Sequence, residues 1–305
     1  MSASFSAWSS TLSSAASTSS AAPASADGSA AAATTKPSHG QAAQAPLVFI
    51  TGASSGIGQA LALRFWQAGY RLALVARRTQ AVHGGAQQHG IAPTQYAVYS
   101  ADVRDVDHMA AAAQACIRSQ GLPAIVIASA GISHGVDTAE RGDIDVLTDI
   151  YATNCIGLVA TFHPFIAPMR ARRSGKLVGI ASVAGIRGLP GHGAYCASKA
   201  AVISYCESLR GELRDAHVHV TTLLPGYVDT PMTENDTYTR HFLLTPGAFA
   251  EQAYRAICAN SSYCVIPWQM GIVAKLLRLL PNWAFDRLLH GKPRKPRKNM
   301  PSAQP

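Results

Sequence analysis

The chain has 305 residues, is 48% hydrophobic and carries a formal charge of +9, which allows a sizeable core and excludes wholesale disorder. The charge does not argue for nucleic acid, because five of the cations (Lys292, Arg294, Lys295, Arg297, Lys298) fall within residues 292–298 with no acid and no aromatic among them. Six cysteines without a C-x-x-C pair read as reduced thiols of a cytoplasmic protein, no metal-ligand cluster stands out, and no run of about 18 uncharged apolar residues marks a membrane span.

Residues 1–46 are Ser, Ala, Thr and Pro in low complexity, with one Asp, one Lys and no Arg. Such a segment cannot bury enough apolar surface to offset its chain entropy, so it is expected to be a disordered tail. It lacks the basic start and apolar core of a secretory signal, which favours an inert tail or a misplaced start over a targeting segment. From there apolar strands alternate with helical stretches. Strands are expected at 47–51, 72–76, 96–100, 124–129, 176–181, 218–224 and 263–266, and helices at 56–68, 106–119, 143–172, 194–215 and 247–259. The strands are apolar on both faces. This predicts an α/β fold, a doubly wound parallel sheet of about seven strands with helices on both sides.

After the first strand comes Thr51-Gly52-Ala53-Ser54-Ser55-Gly56-Ile57-Gly58. A chain that turns from strand to helix and brings backbone N–H groups up to a pyrophosphate has no room for side chains, so glycines are needed, and the helix N-terminus adds partial positive charge. Gly52, Ser54, Ser55, Gly56, Ile57 and Gly58 are therefore candidate cofactor contacts. The second strand ends Val75-Ala76-Arg77-Arg78-Thr79, with no acid in reach to take a ribose 2′-hydroxyl. Guanidinium groups suit a 2′-phosphate, so Arg77 and Arg78 point to NADP(H).

In the helix expected after the fifth strand lies Tyr195-Cys196-Ala197-Ser198-Lys199. Residues four apart share a helix face. A tyrosine hydroxyl has an ordinary pKa of about 10, and a neighbouring ammonium lowers it by favouring phenolate. The glycine loop, the Tyr-x-x-x-Lys and their separation resemble the short-chain dehydrogenase/reductase family, from about Leu47 to Ile266.

The resemblance implies a Rossmann-like catalytic domain over 47–267 and carries further residues. Asp102 and Val103 resemble the adenine-contacting pair. Asn154 resembles the catalytic asparagine, and Ser182, thirteen residues before Tyr195, the catalytic serine. Ala130 and Gly131 keep the close backbone approach to the cofactor, and the stretch containing Pro225, Gly226, Val228 and Thr230 resembles the segment that closes on the nicotinamide side. In the implied mechanism Tyr195 exchanges a proton with the substrate oxygen, Ser182 hydrogen-bonds that oxygen, Lys199 acts on the tyrosine and the ribose, and Asn154 supports a proton-relaying water. One departure stands out. Where the family carries Asn-Asn-Ala-Gly this chain has Ala128-Ser129-Ala130-Gly131, which puts a sheet-stabilising hydrogen bond in doubt.

Residues 230–247 correspond to the family's variable substrate lid. Phe242, Leu243 and Leu244 read either as lining for an apolar substrate or as anchors of the lid, and His241 as a surface residue. Residues 268–291 form an amphipathic helical extension that Pro281 should break in two, and 292–305 a basic disordered tail. The extension reads either as a peripheral contact with an anionic membrane or as a face packed on its own domain or on another subunit. The functions that remain are an NADP(H)-dependent oxidoreductase of an apolar, lipid-like carbonyl or alcohol, a 3-oxoacyl-thioester reductase, and a cofactor-sensing or scaffold protein. The last usually lacks the tyrosine or lysine. The resemblance also implies a homodimer or homotetramer.

Overall fold

The structure is a computed structural model that describes residues 45–234, 241–292 and 294–298. The expected disorder of residues 1–46 therefore lies outside the described residues, save for its last two. Seven strands form one parallel sheet: β1 (Leu47–Thr51), β2 (Arg71–Ala76), β3 (Tyr96–Ser100), β4 (Ile125–Ala128), β5 (Gly175–Ile180), β6 (Val218–Pro225) and β7 (Tyr263–Ile266), in the order β3-β2-β1-β4-β5-β6-β7. β1 pairs with β2 on one side (Ile50 opposite Leu74) and with β4 on the other (Ile50 opposite Ile127). The winding reverses between β1 and β4, and a crevice opens beyond the carboxyl ends of the strands at such a point.

The strands form because both of their faces are buried. Within β1, Leu47 and Phe49 join one core while Val48 and Ile50 join the other, as a two-residue side-chain period requires. The first core is closed by α3 (Val106–Gln120), α5 (Gly157–Arg172) and α6 (Gly193–Leu213), which contribute Met109, Phe165 and Val202. The second is closed by α1 (Gly56–Gln67), α2 (Thr79–Gln88) and α7 (Pro246–Cys258), with Phe65, Val82 and Phe249. Phe49 and Phe165 meet edge to face at 4.8 Å between centroids. Each such buried ring contributes about 1.5–3 kcal/mol by its removal from water. The six cysteines are free thiols, and burial pushes Cys116 and Cys206 up to about 12.

Two local features depart from expectation. The helix α2 has no counterpart in the sequence reading, because Gly84 and Gly85 at its centre disfavour a helix. Packing explains one of them: a Cβ on Gly85 would come within 2.6 Å of the Gln59 amide on α1. The long helix expected over 143–172 is α4 (Arg141–Tyr151) and α5 joined by a π turn, Ala152–Ile156. By length and composition this continuous helix could cross a bilayer, yet its Phe162, Phe165 and Met169 are wholly buried under the sheet.

The C-terminal extension folds as α8 (Trp268–Leu279) and α9 (Asn282–Leu289), with the break at Pro281. Arg187, in the loop after β5, donates to the carbonyls of Leu277 and Leu280 (2.8 Å to the latter), and its guanidinium lies 3.8 Å over the Phe285 ring. It thereby satisfies carbonyls left unpaired at the C-terminus of α8. The basic stretch expected to be disordered is, over 294–298, laid against the domain. Gly135 donates to the Pro296 carbonyl (3.0 Å), Arg297 Nε bonds the buried Asp143 carboxylate (2.6 Å), and Lys298 reaches Asp149 (3.4 Å). Backbone pairing and a buried carboxylate hold what composition alone assigns to solvent.

Candidate active site

β1 delivers Thr51 to the crevice, and the chain turns at once into α1. Gly52 has φ +69°, and a Cβ there would stand 2.8 Å from the Ala130 backbone; one on Gly58 would stand 2.3 Å from the Gly52 carbonyl oxygen. The turn closes only without side chains. Ser55, at the start of α1, makes no side-chain capping bond, and the first turn of the helix contains no acid, so its N–H groups face the crevice with their dipole uncompensated. Every cofactor contact named from the sequence, from Gly52 to Thr230, lines this one crevice of about 320 Å³.

At its far end Arg77 and Arg78 follow β2. The Arg77 guanidinium is largely exposed and 3.6 Å from the Asp102 carboxylate. Asp102 is gripped more tightly by Arg104, at 2.8 and 3.1 Å. This guanidinium, with Arg77 behind it, holds the Asp102 carboxyl below the usual carboxylate range. In the sequence only the spacing of Arg104, two residues after the acid, signals this pair. Ser129 behaves as its departure from the family pattern suggests. Its buried hydroxyl makes no hydrogen bond among the described residues, and its backbone N–H donates to Thr51 Oγ1 instead (3.2 Å).

The other end brings together three of the four expected catalytic residues. Ser182 ends the strand region of β5 and starts a short turn, where its Oγ accepts from Ala184 N (3.2 Å). Tyr195 and Lys199 lie four apart on α6. Lys199 is buried, donates to the Ile180 carbonyl (2.8 Å) and holds its ammonium 5.8 Å from the centroid of the Tyr195 ring. Burial lowers its pKa from 10.5 to about 8, with Cys155 and Cys206 opposing that fall. Ser182, Tyr195 and Lys199 all face the crevice.

Asn154 sits one layer behind, in the π turn between α4 and α5, and is buried. Its amide accepts from Ile132 N (2.9 Å) and donates to Ile132 O (3.0 Å) and Ser198 Oγ (3.0 Å). Ser198 in turn donates to the Tyr195 carbonyl (2.8 Å). Asn154 thus ties the loop after β4 to the helix that carries Tyr195 and Lys199. Nothing in the sequence marks Ser198 apart from its place between Tyr195 and Lys199.

A second cavity, of about 600 Å³, adjoins the first and shares Ser182, Tyr195, Gly226, Met232 and Thr233 with it. Its walls are mainly apolar: Ile186 and Leu189 from the loop after β5, and Met270, Val273, Leu277, Phe285 and Leu288 from α8 and α9. The extension is therefore the roof of this cavity. The lid residues divide their roles. Phe242 and His241 line the cavity, whereas Leu244 pairs its backbone with Tyr227 and Asp229 and anchors the lid. A reactive oxygen between the two cavities would meet a hydroxyl, a phenol and a buried ammonium behind it, the set that proton exchange at a carbonyl requires.

Residues 46–241 match the family model described as short chain dehydrogenase. An uncharacterized oxidoreductase of Myxococcus xanthus is 35% identical over 240 residues, 78% of this chain and 93% of that protein. Dehydrogenase/reductase SDR family member 7B of Bos taurus is 30% identical over 273 residues, 83% of each chain. Among solved structures, a short-chain dehydrogenase/reductase from Burkholderia phymatum in complex with NAD superposes with a TM-score of 0.69 at 23% identity, over 83% of this chain and 98% of that one. Actinorhodin polyketide ketoreductase with NADPH gives 0.66 at 24% identity, over 73% and 95%. The two structures share the fold, one with each cofactor. The sequence matches carry the rest: the chain belongs to the short-chain dehydrogenase family and is a hydride-transferring oxidoreductase with a nicotinamide cofactor.

Proposed function

We propose that the protein is an NADP(H)-dependent reductase of apolar carbonyl compounds, or the corresponding alcohol dehydrogenase. One observation carries this reading: Ser182 and Tyr195 line both the dinucleotide crevice and the apolar cavity of about 600 Å³. A substrate in the second would present its oxygen to groups that also face the first. The glycine turn that a Cβ would obstruct fits a pyrophosphate. The absence of an acid at the end of β2, with Arg77 and Arg78 in its place, favours a 2′-phosphate over a free 2′-hydroxyl.

A nicotinamide cofactor held by the glycine turn, Arg77 and Arg78 would supply the hydride in reduction and take it up in oxidation. The protein's residues do the rest. Tyr195 donates its phenolic proton to the carbonyl oxygen, and the Ser182 hydroxyl hydrogen-bonds the same oxygen as charge develops on it. Lys199, fixed by the Ile180 carbonyl, favours the phenolate that remains. Asn154 positions the loop after β4 against α6. The roof of α8 and α9 shields the site from water, which strengthens these interactions.

The test is NAD(P)H oxidation against a panel of aliphatic and aromatic ketones and aldehydes. NADPH is expected to exceed NADH in kcat/KM, and Arg77→Ala/Arg78→Ala to narrow that preference. Tyr195→Phe is expected to lose about 10²–10⁴-fold in kcat while binding cofactor as before. Unchanged turnover in Tyr195→Phe would remove the tyrosine from its role, and a preference for NADH would remove the arginines from theirs.

A further inference from the structure

We propose that the outer face of α8 and α9 docks the enzyme on an anionic lipid bilayer, with the helix pair lying in the membrane interface. Trp268, Ile272, Leu276 and Leu279 are spaced by four, four and three residues, so they share one face of α8. They are between 51% and 80% exposed, and Trp283, 74% exposed, continues the stripe onto α9. The opposite face of α8 is committed elsewhere, since Met270, Ala274 and Leu277 wall the cavity beside Tyr195. A helix that is apolar on both sides is normally covered on both. Here the cover on the outer side has to come from outside the described chain.

Charge selects the occupant. Lys275 falls within the stripe, Arg278 flanks it on α8, and Arg287 follows Trp283 by four residues on α9, against one acid in the two helices, Asp286. A second copy laid face to face would oppose these cations to one another. Acidic phospholipid headgroups supply their complement. The two tryptophans mark the ends of the apolar stripe, where amphipathic rings suit the boundary between headgroups and acyl chains. The stripe on α8 is about 16 Å long at 1.5 Å per residue, too short to span a bilayer and suited to lying along its surface. The opposite helix face walls the cavity, so docking would bring the cavity's roof to the lipid. The docking itself holds whichever carbonyl is reduced, and it is read without a substrate.

The experiment is co-sedimentation of the full chain with vesicles of phosphatidylcholine, with and without phosphatidylglycerol. Wild type is expected to pellet with the phosphatidylglycerol vesicles and to stay in solution with phosphatidylcholine alone. Leu276→Glu/Leu279→Glu should abolish pelleting. Lys275→Gln/Arg278→Gln should weaken it about 30-fold, two surface charges being lost. None of these four residues lines either cavity. Turnover of a small soluble carbonyl therefore reports that each variant is folded and should stay at the wild-type level. Wild type left in solution with phosphatidylglycerol overturns the proposal. So does equal pelleting of Leu276→Glu/Leu279→Glu. So does a wild-type dimer that Leu276→Glu/Leu279→Glu converts to monomer, which would assign the face to a second copy.

Discussion

Lys199 shows how burial sets the working range of the site. Its ammonium is buried, and its pKa falls from 10.5 to about 8. Near neutrality it is still charged, and in the proposed mechanism that charge would favour the Tyr195 phenolate and allow donation to a ribose hydroxyl. As pH rises through about 8 the charge is lost from the free enzyme. A cofactor that binds the ammonium form then takes up a proton on binding, and its Kd should rise by up to about tenfold per pH unit above 8. Lys199→Met should bind more weakly at pH 7 and lose that pH dependence; fluorescence titration of NADPH from pH 7 to 10 measures both. Stability has its own sign. Between about 8 and 10.5 the unfolded chain binds the proton that the folded chain has released, so unfolding free energy contributed by this group rises with pH across that window. The Lys199→Met variant should lack this rise in urea melts. A Kd that stays flat through pH 8 in wild type would mean that the lysine does not gate cofactor binding.

At the scale of elements, the C-terminal strap is the feature with most consequence for the site. Residues 294–298 cross the loop after β4, held by the Gly135 N–H, by Asp143 and by Asp149. A Cβ on Gly135 would collide with the Lys295 carbonyl at 2.0 Å, and one on Gly191 would lie 2.9 Å from Arg294 Cβ. The strap thus rests on the loops after β4 and β5, which lend Ser133 and Leu189 to the lining of the apolar cavity. Asp143 Oδ2 accepts from Arg297 Nε and from Asp137 N (2.8 Å). The Arg297 guanidinium and that N–H hold its carboxyl below the usual carboxylate range. The sign for a depressed carboxylate follows: the clasp contributes fully above the ordinary range and is lost as pH falls through the lowered value. Asp143→Asn should release the strap. Trypsin should then cut within 294–298 faster, and KM for an apolar ketone should rise several-fold, while Kd for NADPH and kcat on a small carbonyl hold.

That strap also marks the limit of what the sequence discloses. The glycine turn, the Tyr195–Lys199 pair and the seven strands are local: each is written in a few neighbouring residues whose spacing matches one period. The carboxylates that hold the strap, Asp143 and Asp149, lie 154 and 149 residues from Arg297 and Lys298, so a run such as 294–298 reads as a solvated charge cluster until the fold supplies them. Helix α2 was hidden for a related reason, since its Gly85 answers to Gln59 on another helix. The roofing role of α8 had a faint signal. Met270, Val273 and Leu277 sit opposite Trp268, Ile272 and Leu276, a helix with two apolar faces, but only the fold says which of them faces inward.

At the scale of the whole molecule, the proposed function assigns chemistry to the crevice and substrate recognition to the apolar cavity. The crevice is built by the turn after β1 and the ends of β2 to β6, all within the part of the chain that matches the family model. The roof of the apolar cavity is built largely by residues after 267, beyond that match. Substrate choice should then follow apolar area buried under α8 and α9 more than contacts near the reacting carbon. Each methylene removed from water contributes about 0.8 kcal/mol, or about fourfold in kcat/KM when that burial is kept in the transition state. In a series of straight-chain ketones kcat/KM should climb by about that factor per carbon and level off once a cavity of about 600 Å³ is filled. Leu277→Asp, which puts a carboxylate into the roof, should flatten the climb and spare the shortest ketone, because Ser182, Tyr195 and the crevice are untouched. A rate independent of chain length in wild type would mean that the substrate does not enter under this roof.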